Sequence, residues 1–426
     1  MAYGVVLEIE KKHFAYKVRK CMIIILLFWL LDRTLHFMPR RCHQQRRQAS
    51  HLLVVVGIFS CILNQGVCSA SVVSVFPQQS DTSVPLRNFV FDSIGRKLYV
   101  GGVNVIYKLD ENLQQDAAVM LGPHRDIVDC ADASAFSLNC TLASETSDSN
   151  SQALALDIDS EVLIACGTLY YGSCAKINTA DFSAAEYVYR PVVPNDRSKS
   201  VAILVAPGFT GTSLLYVGAA YSTVGVDALR SRVGLFSVRN LETFEVASVE
   251  TSSSSFIQIR PDYHDNFAMH FIRAYHFNTH VYFFFRRPSQ RAVGEITSHV
   301  LRVCTDDRRM YSIVELHLEC SVGNDVYRYL RDVTLIDFDP PLQMNDDSSV
   351  TGPTLVGTFT STAEDAGSSA VCLFQMSDVE VGFQSVIQNC YRGRGFLGPE
   401  YIAEIERCTE TVGCFCFIYC FFCIWF

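Results

Sequence analysis

Short apolar runs recur in pairs along the middle of the chain, and each pair predicts two β-strands joined by a turn. The first runs are apolar on both faces, as expected of strands buried within a stack of sheets. They begin at Leu98, Leu163, Leu215, Val281 and Leu355. The second runs begin at Val105, Cys174, Gly234, Val300 and Val371. The chain is therefore predicted to be all-β.

The spacing of these pairs predicts blades of a β-propeller. The equivalent positions Gly101, Gly167, Gly218, Phe285 and Gly357 are 66, 51, 67 and 72 residues apart. Four strands with their loops need about 40–50 residues, and insertions account for the excess. We expect the glycine-bearing strands to lie innermost, where the blades converge. About five blades are present on this interpretation.

The alternative architecture is a series of β-sandwiches. Immunoglobulin-like sandwiches have a tryptophan packed on a cystine and a length of about 100 residues per domain. The two tryptophans of this chain, Trp29 and Trp425, lie near its ends. The missing central tryptophan favours the propeller.

The N-terminal region resembles a secretory signal that does not begin at residue 1. Residues 52–63 are an uncharged apolar run, Arg40, Arg41, Arg46 and Arg47 precede it, and small residues follow at Ser69 and Ala70. A basic segment, a short apolar core and small residues are the pattern of a signal peptide. With Met38 as the start, residues 38–70 form the signal and residues 1–37 a non-native extension. In the alternative, residues 21–31 are the apolar core of a longer signal.

The C-terminal residues 411–426 are apolar and cysteine-rich, and we interpret them as a non-native tail. The segment is short for a membrane span. A zinc site would need a second cysteine pair and polar supporting residues. A partial membrane anchor remains the alternative. The propeller domain would then occupy residues 71–410.

Nine cysteines lie between the signal and the tail, and in a secreted chain they predict disulfides. Spacings of ten and eight residues make Cys130–Cys140 and Cys166–Cys174 the natural local pairs. Nine is an odd number, so at least one cysteine lacks a partner. Asn139 begins the triplet Asn-Cys-Thr and is the predicted glycosylation site.

Charge excludes one class of partner. The chain has 35 Lys and Arg against 44 Asp and Glu, a formal net charge of -9. Ten of the basic residues lie in the first 50, so the predicted domain is more acidic than the whole chain. An acidic surface repels phosphate backbones, and we therefore expect no nucleic-acid binding.

Several segments resemble the sema domain of plexins. They are LYVGGVNVIYKL (98–109), LIACGTLYYGSC (163–174), VLRVCTDDRRMYSIVEL (300–316) and CYRGRG (390–395). The resemblance covers roughly residues 80–410 and is closer to plexins than to semaphorins. It implies a sema-type seven-bladed β-propeller, here incomplete with about five blades.

The resemblance also implies a disulfide pattern. It pairs Cys130 with Cys140 and Cys166 with Cys174. It further pairs Cys320 with Cys372 and Cys390 with Cys408. The family partner of Cys304 lies downstream, where this chain has its apolar tail, so Cys304 is expected to be unpaired.

The function implied is protein binding at the cell surface. A plexin-like receptor binds semaphorins through its sema domain in signalling for axon guidance and cell migration, and homo-association of sema domains is a further possibility. We expect no catalytic residue, cofactor, metal or small-molecule substrate. The chain would be secreted by itself and lie at the plasma membrane in a full-length receptor. The alternatives are a semaphorin-like secreted ligand and an extracellular propeller enzyme, which would need paired carboxylates.

Few binding residues are predicted from the sequence. The loops at 219–233 and 261–276 are the best candidates, since propeller loops carry binding surfaces. His264, His270, His276 and His280 cluster in sequence, with His276 and His280 predicted on one exposed strand face without carboxylate support. Asp306 and Asp307 are predicted to lie in a turn with solvated charges.

Overall fold

Five four-stranded antiparallel sheets form the fold, and each is one blade of a β-propeller. The computed structural model describes residues 5–7, 57–61, 68–72, 76, 85–126, 146–225, 230–249, 254–265, 267–289, 294–343, 349–363, 367–394 and 399–402. The N-terminal strands are β1 (Val5–Leu7), β2 (Gly57–Cys61) and β3 (Cys68–Val72). Strands β2 and β3 pair with each other, so part of the predicted signal lies in a two-stranded hairpin.

The first two blades follow directly in the chain. Blade 1 contains β4 (Asn88–Asp92), β5 (Lys97–Gly101), β6 (Val105–Leu109) and β7 (Gln115–Met120). A short pair, β8 (His124–Arg125) and β9 (Thr146–Ser147), leads to the next blade. Blade 2 contains β10 (Ser151–Asp157), β11 (Val162–Gly167), β12 (Cys174–Asn178) and β13 (Ala185–Val188). A single helical turn at Leu169–Gly172 connects β11 to β12.

The next two blades repeat this order. Blade 3 contains β14 (Val201–Pro207), β15 (Ser213–Ala219), β16 (Phe236–Asn240) and β17 (Phe256–Ile257). A 3-10 turn at Pro261–Tyr263 precedes blade 4. Blade 4 contains β18 (His270–Phe277), β19 (His280–Pro288), β20 (Ile296–Cys304) and β21 (Val314–Leu318).

Blade 5 departs from the pattern. The hairpin of β22 (Cys320–Val322) and β23 (Asp325–Tyr327) leads into it. The blade contains β24 (Tyr329–Gln343), β25 (Ser349–Thr360) and β26 (Ser369–Gln375). Its fourth position is occupied by β1, which pairs antiparallel with β26, and the chain continues into helix α1 (Met376–Tyr391). Residues 5–7 of the predicted N-terminal extension thus lie at the edge of this blade.

Asp and Asn side chains set several of the turns between strands. The Asp92 carboxylate accepts hydrogen bonds from the backbone N–H groups of Ile94 and Gly95 at 2.9 and 2.8 Å. The Asn178 and Asn240 side chains cap the turns after β12 and β16 in the same way. Such side-chain bonds replace backbone partners in a tight reversal, which is why these residue types recur there.

The hydrophobic core lies between neighbouring blades. Separate clusters of buried side chains fill the contacts between blades 1 and 2, 2 and 3, 3 and 4, and 4 and 5. The cluster between blades 3 and 4 also buries Tyr401 and Ile402, which return from the C-terminal side. These clusters confirm the all-β propeller with five blades.

One detail of the prediction is wrong. The innermost strands are the first of each blade, β4, β10, β14, β18 and β24, which contact one another around the axis. The glycine-bearing strands are second in their sheets. At Gly218 the glycine instead allows blades 3 and 4 to pack closely. A Cβ at this position would lie 2.6 Å from the Phe271 ring and 2.9 Å from the Phe283 ring of blade 4.

Helix α1 is attached to blade 4 by a polar contact. Glu380 accepts a hydrogen bond from the Tyr282 hydroxyl at 2.6 Å and pairs with Arg302. The Arg302 guanidinium also lies 4.5 Å from the centre of the Phe383 ring. No helix among the described residues is long and apolar enough to cross a membrane.

Candidate functional site

The longest connections of the fold lie on one face, which we call the loop face. Because strands within a blade are antiparallel, the turns between second and third strands share an edge with the connections to the next blade. Backbone hydrogen bonds join the two sets: the Asn104 N–H donates to the Ser149 carbonyl at 2.7 Å, and the Ser151 N–H to the Gly102 carbonyl at 3.2 Å. Loops on a rigid scaffold are the usual place for binding residues.

Four aromatic side chains, the aromatic cluster, meet on the loop face between blades 1 and 2. They are His124, Tyr170, Tyr187 and Tyr189. The Tyr170 ring centre lies 5.0 Å from that of Tyr187 and 4.9 Å from that of Tyr189, both edge to face. Tyr189 is 37% exposed. Edge-to-face contacts stabilise such groups by about 0.5–1.5 kcal/mol beyond their burial, so the rings support one another.

The loop that carries Tyr170 has a strained backbone. Tyr170 and Tyr171 have φ angles of 51° and 59°, and Gly172 follows with φ 82°. The left-handed conformation costs about 1–2 kcal/mol for a residue with a side chain, and strain of this kind gathers at functional sites. Of the two tyrosines in this conformation, Tyr171 is buried and Tyr170 contributes to the aromatic cluster.

Covalent and hydrogen bonds hold this loop in place. Cys166 and Cys174, which face each other across β11 and β12, form a disulfide that closes the loop. The Asp126 carboxylate accepts a hydrogen bond from the Tyr170 N–H at 2.9 Å. The Gly172 carbonyl accepts two, from the N–H groups of Val192 and Val193 at 3.0 and 3.1 Å. The loop is therefore fixed before any partner binds.

Tyr187 anchors the aromatic cluster from below. Its hydroxyl donates to the Leu121 carbonyl at 2.8 Å. Burial, together with the neighbouring Tyr170 and Tyr189, raises the pKa of Tyr187 to about 12, so the hydroxyl stays protonated and keeps donating at neutral pH. The outer rings then have a rigid base.

The structure brings the two predicted loops together. Tyr221 in the 219–233 loop stacks on His264 in the 261–276 loop, with ring centres 4.0 Å apart. Tyr221 lies on the connection from β15 to β16 and His264 on that from β17 to β18, both on the loop face. The rest of the second range is not a loop as predicted, because residues 270–276 belong to strand β18. The sequence prediction missed the aromatic cluster, although the motif LYYGSC placed two tyrosines inside an eight-residue cysteine spacing.

Two of the implied disulfides are present in the structure. Cys166 bonds Cys174, and Cys320 bonds Cys372 across 52 residues, joining the β22–β23 hairpin to blade 5. Cys390 is also disulfide-bonded, to a partner outside the described residues. Cys130, Cys140, Cys408 and the predicted glycosylation site Asn139 lie outside the described residues.

The expectation of an unpaired Cys304 is wrong. Cys304 ends β20 and is disulfide-bonded, with a partner outside the described residues. The expectation rested on the resemblance, which places the family partner of Cys304 downstream, where this chain has its apolar tail. The residue is buried, with its sulfur 3.5 Å from Nε2 of His280.

We expect Cys304 to resist alkylation in the native protein. Mass spectrometry of non-reduced peptides after iodoacetamide treatment should find it in a cystine, with alkylation only after reduction. Carbamidomethylated Cys304 in the native sample would contradict the bond. The buried pair Cys320–Cys372 is the internal control for complete protection.

The predicted histidine and aspartate arrangements are also corrected. His276 and His280 lie on different strands, because the chain reverses at Asn278, whose φ is 54°. Asp307 is buried, and its carboxylate accepts the N–H groups of Arg309 at 2.9 Å and Ser312 at 2.6 Å, so it shapes the turn. Within the described ranges no group of three His, Cys, Asp or Glu side chains is placed to hold a metal.

Comparison with known proteins agrees with the propeller fold. No protein-family model matches the chain. Human plexin-B1 is 27% identical over 338 residues, which is 75% of this chain and 15% of plexin-B1. Mouse plexin-B3 is 28% identical over 314 residues, 72% of this chain and 15% of that protein. The chain thus spans about 15% of the length of these relatives.

A solved structure of the plexin A4 full extracellular region has the same fold. It matches with a TM-score of 0.63 and 20% identity over 77% of this chain and 38% of that structure. The class defined by fold and similarity is the sema-type β-propeller. Within that class, the sequence similarity reported above is to plexins.

Proposed function

We propose that this chain is the ligand-recognition domain of a plexin-like cell-surface receptor and binds semaphorins through its loop face. The observation that carries the proposal is the aromatic cluster on a strained, disulfide-closed loop. Tyrosines that are exposed and already rigid bind a protein partner with little loss of conformational entropy, and tyrosine is enriched among the residues that dominate binding energy.

The proposal makes binding, not catalysis, the function of the domain. Semaphorins and plexins share this fold, so a role as a semaphorin-like ligand is the alternative. Residues 38–70 are proposed to direct secretion, which agrees with the disulfides of blades 2 and 5. The site of action is then the cell exterior.

Binding by the aromatic cluster can be measured with two single variants. The chain, purified from the medium of secreting cells, is tested by surface plasmon resonance against a panel of semaphorin ectodomains and a panel of plexin ectodomains. We expect binding to a semaphorin. Tyr189→Ala should weaken it about tenfold or more, as expected for a residue central to an interface. Tyr170→Asn should weaken binding to a similar extent, because it removes the ring. Asparagine is the replacement because it tolerates a left-handed backbone.

Tyr311→Ala is the matched control. Tyr311 is 57% exposed and lies between β20 and β21, at the opposite end of its blade from the loop face. Its loss should leave affinity unchanged. Equal effects of Tyr189→Ala and Tyr311→Ala would contradict the assignment of the face. Binding to plexin ectodomains alone would favour the ligand-like alternative.

A further inference from the structure

A group of basic and aromatic side chains lies on the loop face between blades 4 and 5. His270 and Arg286 are directly opposite each other on β18 and β19, at the loop-face end of blade 4. Tyr329 and Arg331 begin β24, the inner strand of blade 5. The guanidinium carbons of Arg286 and Arg331 each lie 5.9 Å from the centre of the Tyr329 ring. We call these four residues the basic seam.

Arg286 differs from the other arginines of the blade 4 strands. Arg273 pairs with Asp332, Arg287 with Glu315 and Arg302 with Glu380. Arg286, by contrast, has no hydrogen bond or ion pair to any described residue, and its Nε is buried without a hydrogen-bond partner. A buried charged donor without a partner is rare in folded proteins and needs an explanation.

The other members of the basic seam do not hydrogen-bond to the Arg286 guanidinium. Arg331 donates its Nε to the Thr360 hydroxyl at 2.8 Å and its Nη2 to the carbonyls of Thr362 and Ala363 at 2.9 and 2.6 Å, which fixes its position. Burial and the charge of Arg331 lower the pKa of Arg286. Burial, Arg286 and Arg331 lower the pKa of His270 to about 4, so that ring is neutral at pH 7.

We propose that the basic seam binds one carboxylate, supplied by an Asp or Glu side chain of a protein that docks on the loop face. Arg286 presents the planar guanidinium that carboxylates prefer, and Arg331 adds a second positive charge. The inference rests on the proposed function, since the same face receives the partner. It adds the chemistry of one contact that the partner must make.

The charge of the molecule favours a single carboxylate over a polyanion. The chain has a formal net charge of -9, and Arg286 and Arg331 are the charged donors of the basic seam. An extended sulfated glycan would be repelled by the negative net charge of the chain, because its own charges continue beyond the two arginines. An Asp or Glu side chain brings only one negative charge to the seam.

Small anions test the site without any protein partner. The secreted chain is unfolded by heat at pH 7 in sodium acetate or sodium chloride of equal ionic strength. A ligand that binds only the folded protein raises Tm with concentration until the site is full. We expect acetate to give a saturable rise in Tm, and we expect Arg286→Gln to abolish it. Because Arg286 has no hydrogen bond or ion pair to any described residue, the variant should unfold in chloride at about the same temperature as the wild type.

Arg96→Gln is the control, since Arg96 is an exposed arginine at the turn between β4 and β5, on the opposite face. It should keep the acetate response. An equal response of the wild type and Arg286→Gln would overturn the site. Binding of a heparin oligosaccharide that depends on Arg286, with no acetate response, would overturn the choice of a carboxylate. An Arg286-dependent acetate response without semaphorin binding would reject the proposed function and keep the carboxylate site.

Discussion

Replacing Gly172 with alanine is expected to destabilise the domain by more than about 4 kcal/mol and to abolish secretion. Gly172 has a φ of 82°, which costs an alanine about 1–2 kcal/mol by itself. The added Cβ would also overlap the carbonyl group of Val193. That carbonyl belongs to backbone held by the hydrogen bonds of Val192 and Val193 to Gly172, so it has no room to move without breaking them.

Gly211→Ala separates the two contributions. Gly211 has nearly the same conformation, with φ 76°, but nothing lies within 4 Å of the position of its Cβ. Its substitution should therefore cost only about 1–2 kcal/mol. The amount of secreted protein and the urea midpoint of whatever is recovered provide the measurement. If the two variants lose the same stability, the close contact between Gly172 and the Val193 carbonyl is contradicted.

The sequence predicted the centres of the blades better than their borders. The runs beginning at Leu98, Leu215 and Val281 became the centres of β5, β15 and β19, where consecutive residues are buried on both faces and apolar. First and fourth strands were not predicted, because one face of each is partly solvated and their pattern is weak. The β17 strand, only Phe256–Ile257, is too short to give any periodicity.

The candidate site was predicted less well, for a physical reason. His124, Tyr170 and Tyr189 belong to three different connections, and their meeting depends on how blades 1 and 2 pack. No local pattern encodes that contact. The loop positions near Tyr221 and His264 were predicted only as ranges, since loop length indicates a surface but not which side chains meet there. The strain at Tyr170 follows from φ angles that no residue type reveals.

Glu315 is the centre of a buried polar group that ties the C-terminal segment to blade 4. Its Oε1 lies 2.7 Å from Nε of Arg287 and 2.5 Å from Nδ1 of His299, and its Oε2 accepts the Tyr401 hydroxyl at 3.1 Å. The Arg287, His299 and Glu315 side chains are each less than a tenth exposed. Removing one partner of such a group leaves a buried charge unbalanced, so the loss is large even where the intact pair contributes little.

Burial by itself raises the pKa of Glu315, but His299 and Arg287 outweigh it and lower the value to about 2. A carboxyl whose pKa is lower in the folded state stabilises the protein above its unfolded pKa of about 4.3, and this stability is lost as the pH falls toward 2. Burial also lowers the pKa of His299, so protonation of the unfolded state begins to reduce stability below about pH 6.5. Both groups therefore make the domain sensitive to acid.

Glu315→Gln is expected to lower the free energy of unfolding at pH 7 by about 3–5 kcal/mol, because Arg287 then lies buried without a countercharge. The difference from the wild type should shrink as the pH falls from about 4.3 toward 2, since a protonated Glu315 resembles glutamine. Urea unfolding across this range measures it. Glu111→Gln, which removes an exposed partner of Arg96, should change stability by less than about 1 kcal/mol at every pH. A Glu315→Gln deficit that stays constant with pH would show that packing, and not the charge of the carboxylate, holds Tyr401 and its segment against blade 4.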